Sequence, residues 1–170
     1  MKIPKTNAMR ILTQAGIAFE PKTYDVDEND LSGTKVATQV GLPFAQVYKT
    51  LVAKGDQTGY LVCLIPVDQE IDLKKLALAS GDKRVELIPT KDLLAVTGYI
   101  RGGCTAIGMK KKFPTYIESA ALSQPLIAIS AGVRGCQLLL DPRVLAPFIQ
   151  AKPVEVCFDH SEQSHSGFRS

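Results

Sequence analysis

Apolar and polar positions along the chain change period several times, and each change marks an element. Ala8, Ile11, Leu12 and Ala15 recur at helical spacing, so residues 5–15 read as a helix with Thr6 or Asn7 as cap and Gly16 as stop. Phe19 to Val26 reads as a strand broken early by Pro21. Ser32-Gly33-Thr34 opens a short helix carrying Val36, Ala37 and Val40, closed by Gly41. Two strands at 47–54 and 59–66 are joined by a Gly/Asp turn and form a hairpin. The second, Tyr60 to Val67, is apolar almost throughout, which is how a strand covered on both faces reads. Ile71 to Ala79 is a helix with Asp72 as N-cap, and Gly81 lies just past its end. Val85 to Ile88 is a short strand, and Pro89 to Val96 a helix stopped by Gly98. A glycine-rich loop then runs from Gly98 to Gly108. Three further short strands follow, at Thr115–Ile117, Leu126–Ser130 and Gln137–Leu140. Asp141-Pro142 starts a final helix that Pro147 interrupts or ends.

Strands and helices mix without a strict βαβ repeat, so the expected fold is one α+β domain with a mixed, mostly antiparallel sheet. Its expected extent is residues 1–158, and the polar stretch 159–170 reads as a disordered extension. The length of 170 residues suits a single core. No apolar run reaches membrane-spanning length and no secretory leader is visible, so a cytoplasmic location without a membrane partner is expected. Net charge is +3, too small to argue by itself for nucleic acid, DNA included.

The candidate chemistry is narrow. The only histidines are His160 and His165, both in the polar extension. That removes Ser-His-Asp and Cys-His machinery from the body unless the tail folds back. Cys63, Cys104, Cys136 and Cys157 are widely spaced, with no CxxC pair, and read as reduced structural thiols and not as a metal site. Lysine, carboxylates, hydroxyls, backbone N–H groups and the substrate itself remain.

Lys49 lies inside the strand Val47-Tyr48-Lys49-Thr50-Leu51-Val52-Ala53-Lys54. Alternation puts Val47, Lys49 and Leu51 on one face and Tyr48, Thr50 and Val52 on the other. A lysine there is either partly buried and available for chemistry, or a rim residue whose ammonium snorkels to water. The segment Gly103 to Gly108 followed by Lys110 is a near miss to a P-loop. The lysine comes one residue late and Lys111 stands where a Mg²⁺-binding hydroxyl belongs, so nucleoside triphosphate binding is rejected. Ser130-Ala131-Gly132-Val133-Arg134-Gly135 ends a strand and is either a plain hairpin turn or a cluster of exposed N–H groups for an anion. Lys110-Lys111-Lys112-Phe113, with Arg101 close before it, is either a solvated surface or a phosphate contact.

These features form an ordered set over about residues 5 to 150. It comprises Val47-Tyr48-Lys49-Thr50-Leu51, Asp72-Leu73-Lys74-Lys75-Leu76-Ala77, Thr97-Gly98-Tyr99 with Gly102-Gly103 and Gly108, Lys111-Lys112-Phe113-Pro114-Thr115, and Ser130 with Gly132-Val133-Arg134-Gly135. The set resembles the YbaK family, also called the prolyl-tRNA synthetase-associated domain family, whose members are tRNA editing deacylases. The resemblance implies a barrel-like sheet flanked by helices, with no cofactor and no metal. It implies hydrolysis of a wrong amino acid, cysteine or alanine, from tRNA(Pro), because such side chains differ too little for one site to separate them. It implies Lys49 as the required residue and Tyr24, Thr50, Gly102, Gly103, Ser130 and Gly132 as substrate-binding positions. Arg101, Lys110, Lys111, Lys112 and Arg134 are then the expected tRNA contacts. N–H groups beside Gly103 and Gly132 would stabilise an oxyanion, and the thiol of a cysteinyl substrate would attack its own ester. The chain departs from the family's usual pattern at Thr105-Ala106, Ala131 and Gln137. With no synthetase domain attached, the tRNA would be met in trans, with prolyl-tRNA synthetase as a candidate partner. The alternative is a non-catalytic tRNA-binding or regulatory module of the same fold.

Overall fold

The computed structural model describes residues 2–159. In chain order the elements are α1 (Asn7–Gln14), β1 (Glu20–Thr23), α2 (Gly33–Val40), β2 (Tyr48–Gly55), β3 (Gly59–Pro66), α3 (Leu73–Ser80), β4 (Val85–Leu87), α4 (Leu93–Thr97), β5 (Thr115–Glu118), β6 (Ile127–Ser130), β7 (Cys136–Leu140), α5 (Pro142–Phe148) and β8 (Ala151–Val154). The expected polar tail, with both histidines, lies outside the described residues from residue 160 onward.

The β2–β3 hairpin forms as expected, paired from Tyr48↔Pro66 to Gly55↔Gly59 without a break. It is the centre of a five-stranded sheet of order β4-β2-β3-β5-β8, in which β5 and β8 add in parallel. A second, antiparallel sheet has the order β1-β7-β6. The two meet through one parallel bridge, Val47↔Ala128. The sheets are therefore not closed into the barrel-like sheet the resemblance implies. The reason lies at β2: its outer edge is paired by β4 only over Ala53–Gly55, and by the second sheet only at Val47.

Period-2 alternation divides the core. Tyr48, Val52, Val62, Leu64 and Ile117 pack with Ile127, Ile129, Leu138 and Leu140 from the smaller sheet. Ala53, Leu61, Cys63 and Ile65 face the other way, against Leu76 and Ala77 of α3. Thus β3 is covered on both faces, as its unbroken apolar run requires.

The helix ends follow the capping residues. Thr6, Ser32, Asp72 and Asp141 each accept a backbone N–H of the following first turn. The expected helix from Pro89 is instead a 3₁₀ turn at Thr90–Asp92 leading into the short α4. No pattern announced β8, because Pro153 sits inside it. An edge strand tolerates proline, whose missing N–H costs nothing on the unpaired side, and β8 is the edge of its sheet.

Two buried carboxylates tie loops to this frame. Asp82 accepts from Ser80 Oγ at 2.6 Å and from the N–H groups of Gln57 and Thr58 in the hairpin turn. Those bonds outweigh its desolvation and hold its pKa at about 2. Glu118, at the end of β5, accepts from the N–H groups of Val156 and Cys157 at 3.0 and 3.1 Å, and from Ala120 N–H and Ser119 Oγ. It thereby fixes the segment after β8.

Candidate active site

The register of β2 decides where a ligand can enter. Val67 N–H donates to Val47 C=O at 2.9 Å, so the odd-numbered backbone groups from Val47 onward serve β3. The even-numbered groups point the other way, where Val52 C=O accepts from Ile88 N–H at 3.1 Å. Beyond that bond β4 has ended, and the smaller sheet returns only at Val47. The backbone of Thr50 therefore faces an open strand edge.

A pocket of 440 Å³ occupies this gap. One wall is β2, with Lys49 and Thr50. The smaller sheet lines it with Ser130 and Gln137, and the glycine loop contributes Arg101, Gly102 and Cys104. Lys49 and Thr50 have side chains on opposite faces of the strand, yet both line the pocket. No bulge intervenes, since the β2–β3 register is continuous. The pocket follows the edge of the strand and so reaches both of its faces.

The two glycine loops form a single packed wall. A Cβ on Gly103 would stand 3.1 Å from the Cα and carbonyl carbon of Val133, so only glycine permits this approach. Gly102 has φ +85°, and Arg134 packs over it while its Nε donates to Arg101 C=O at 2.8 Å. The N–H groups of Gly103 and Gly132 are already used, by Ile100 C=O at 3.0 Å and Ser130 Oγ at 3.1 Å. Ala131 N–H is likewise held by Cys136 C=O. Gly102 and Cys104, which do line the pocket, have N–H groups that make no hydrogen bond among the described residues.

The electrostatics are one-sided. Lys49 and Arg101 line the pocket, and among the described residues no aspartate or glutamate does. The ion pairs Lys22–Glu20 and Arg143–Asp141 lie elsewhere, and the side chain of Lys49 has neither an ion pair nor a hydrogen bond among the described residues. Its charge is felt by Cys157, whose thiol it favours towards ionisation, although burial and Glu118 push that thiol up to about 12. Burial also pushes the Cys104 thiol up to about 12, with only partial relief from Thr97. Cys63 and Cys136 are raised for the same reason. No cysteine is therefore a thiolate nucleophile near neutral pH. The described residues contain no histidine, and Ser130 has no base beside it, its Oγ being engaged by Gly132 N–H. Among the described residues no cysteine, histidine or base-activated serine therefore stands ready as a nucleophile at the pocket.

Of the positions singled out from sequence, Lys49, Thr50, Arg101, Gly102 and Ser130 converge here. Gly103 and Gly132 stand behind, in the loop wall. Tyr24 does not line the pocket: it is buried after β1, its N–H donating to Gly135 C=O. Lys110 packs its methylenes near Gly98, while Lys111 and Lys112 border a separate 220 Å³ hollow with Phe113 and Phe148. Arg134 sits at the rim through its bond to Arg101. Sequence reading named Gln137 only as a departure from a pattern and left Cys104 without a role. A glutamine amid Cys136-Gln137-Leu138-Leu139-Leu140, all buried, was the available signal, because a polar side chain in such a strand needs a reason.

The model of the aminoacyl-tRNA editing domain matches residues 30–148. A protein of Enterococcus faecalis (strain ATCC 700802 / V583), provisionally named as the Cys-tRNA(Pro)/Cys-tRNA(Cys) deacylase EbsC, is 45% identical over 152 residues, which span 89% of this chain and 93% of that protein. A 77-residue stretch, 45% of this chain, is 29% identical to 14% of the proline–tRNA ligase of Thermosipho africanus. A solved structure provisionally described as a trans-editing enzyme for prolyl tRNA synthetase superposes with a TM-score of 0.77 at 19% identity, covering 92% of this chain and 100% of that one, a likeness of fold. The match runs from ahead of α2 into α5 and includes both walls of the pocket: the chain belongs to the aminoacyl-tRNA editing domain family.

Proposed function

We propose that this protein is a trans-editing aminoacyl-tRNA deacylase that clears tRNA(Pro) mischarged with cysteine. The observation that carries this reading is Lys49, with no ion pair among the described residues, joined by Arg101 in a pocket that no described carboxylate lines. Such a site attracts the phosphates and the ester oxygen of a charged tRNA terminus. The name of the Enterococcus relative supports cysteine as the amino acid and tRNA(Pro) as the carrier.

The chemistry follows from what the pocket lacks. The thiol sulfur of the cysteinyl group attacks its own ester carbonyl carbon. A C–S bond forms, the C–O bond to the ribose breaks, and the ribose oxygen takes a proton. The product thiolactone is then opened by water. Lys49 orients the terminus, and the free N–H groups of Gly102 and Cys104 are the donors for the oxyanion that develops in the transition state. Alanine lacks a thiol, so its ester would need a bound water and would be cleaved more slowly. Prolyl-tRNA synthetase is the partner this reading names, since the resemblance extends to part of a proline–tRNA ligase.

The test is deacylation of tRNA(Pro) charged with cysteine, alanine or proline, by wild type and by Lys49→Ala. Cysteine should be released fastest, proline should be spared, and Lys49→Ala should lose the activity while keeping the wild-type unfolding transition. A folded Lys49→Ala variant with full activity refutes the role of the lysine. Binding of the charged tRNA without release of any amino acid would instead favour a non-catalytic module.

A further inference from the structure

We propose that Gln137 reads the α-amino group of the aminoacyl ester, its side-chain Oε1 accepting a hydrogen bond from that amine; this rests on the editing function proposed above. Gln137 is only 6% exposed, yet it borders the pocket. Its Oε1 is fully buried and has no hydrogen-bond partner, one of two side-chain atoms in that state among the described residues. Buried acceptors are normally satisfied, so one left unpaired on a residue that lines a pocket marks a place where a ligand's donor can be taken up with a small shift of the side chain. Ser130 stands directly across the strand pair but makes no hydrogen bond to Gln137 Oε1; its Oγ accepts from Gly132 N–H instead.

The chemistry of the pocket selects the donor. The charged terminus offers an amine, a ribose hydroxyl and the adenine amino group. Lys49 and Arg101 suit phosphate or ester oxygens, and Lys49 belongs to β2 whereas Gln137 belongs to β7 of the smaller sheet. The amine is attached one carbon from the ester carbonyl, on the side away from the ribose. A terminus held by its oxygens along β2 therefore extends its amine towards the smaller sheet. An ammonium would find no carboxylate there and two like charges in the same pocket. An uncharged amine keeps its donor hydrogens and avoids that repulsion. A neutral carboxamide is the matching acceptor, and a carboxylate in its place would favour the ammonium.

The experiment compares Cys-tRNA(Pro) with 3-mercaptopropionyl-tRNA(Pro), which keeps the thiol and the ester but lacks the amine. Wild type should cleave the cysteinyl ester with about tenfold higher kcat/KM, the size of one hydrogen bond. Gln137→Leu should lower kcat/KM for the cysteinyl ester by that factor and leave the desamino ester unaffected, so that the preference disappears. Gln137→Met, which keeps the length of the side chain, repeats the measurement if leucine disturbs folding. Equal loss on both esters, as expected if Gln137 bonds the ribose or only shapes the pocket, overturns the inference, and so does no loss on either. Failure of wild type to cleave either ester overturns the editing function itself, and this inference with it.

Discussion

Replacing Gly103 by alanine tests whether the spacing of the two glycine loops sets activity. The residue lacks a positive φ, so alanine suits its backbone and the effect is purely one of space. The new Cβ would meet the Cα and carbonyl carbon of Val133 at 3.1 Å and the amide nitrogen of Arg134 at 3.2 Å. All three are main-chain atoms, so no rotamer change relieves the contact. Relaxation towards the ordinary separation of about 3.5–4.0 Å must move loop 131–135 away from loop 98–108 by a few tenths of an ångström. Overpacking of this kind costs about 1–3 kcal/mol. Restricting the unfolded chain returns about 0.4–1 kcal/mol, so the net destabilisation is about 0.5–2 kcal/mol. A domain of ordinary stability, about 5–15 kcal/mol, stays folded under that load. The pocket does not escape so lightly. Arg101, Gly102 and Cys104 are carried by one loop, and Ser130 leads into the other. A 1 Å misplacement can cost about 100-fold in rate, so a shift of a few tenths should cost about 3- to 10-fold in kcat/KM. Urea unfolding and Cys-tRNA(Pro) deacylation measure the two halves separately. Wild-type kcat/KM in a variant that has lost the expected stability would refute the claim that loop spacing governs the site.

Two further outcomes concern buried groups. Burial alone would raise the Glu118 carboxyl, but bonds from Val156, Cys157, Ala120 and Ser119 hold it below the ordinary value of 4.5. A depressed folded pKa gives stability that is present above the unfolded value and is lost as pH falls through the folded one. Glu118→Gln should therefore unfold about 2–4 kcal/mol more easily at pH 7, with the gap to wild type narrowing below about pH 4.5. A gap unchanged down to pH 3 contradicts this account. The four thiols, all raised by burial, should react with a disulfide reagent at pH 7 far more slowly than free cysteine. Rapid modification of Cys104 in the folded protein would reopen the case for an enzyme nucleophile.

The parts legible in the sequence were those fixed by local rules. The β2–β3 hairpin, its two-sided burial and the caps at Ser32, Asp72 and Asp141 all follow from alternation, turn residues and side-chain acceptors within a few positions. The site was legible only in pieces. Lys49, Thr50, Gly102 and Ser130 could be named, but strand alternation set Lys49 and Thr50 on opposite faces, to be united only by a bulge or by the strand's end, and the continuous register shows no bulge. What unites them is the shortness of β4, a matter of tertiary pairing. The same limit hid the separation of Lys111 and Lys112 from the pocket, since nearness in sequence to Arg101 says nothing about which hollow each borders. Tyr24 entered through resemblance alone, and the lining of the pocket does not include it.

An unpaired strand edge is ordinarily a hazard, because its free N–H and C=O groups invite another chain. Here the edge around Thr50 borders a pocket that the glycine loop and the smaller sheet also line. Glycine suits that arrangement: a loop wall made of larger residues could not approach Val133 so closely without filling or displacing the space it encloses. A pocket of 440 Å³ has room for a small ester, whose own donors and acceptors can meet those of Thr50. On the proposed reading Lys49 and Arg101 only hold the ester in place, and the nucleophile comes with the substrate. A substrate that carries its own thiol needs little more, whereas one without it must find a water that no base in the pocket activates. This difference makes the cysteine-over-alanine ratio of the wild-type protein the most direct readout of the mechanism. A ratio near one would mean that water, and not the substrate's thiol, performs the attack.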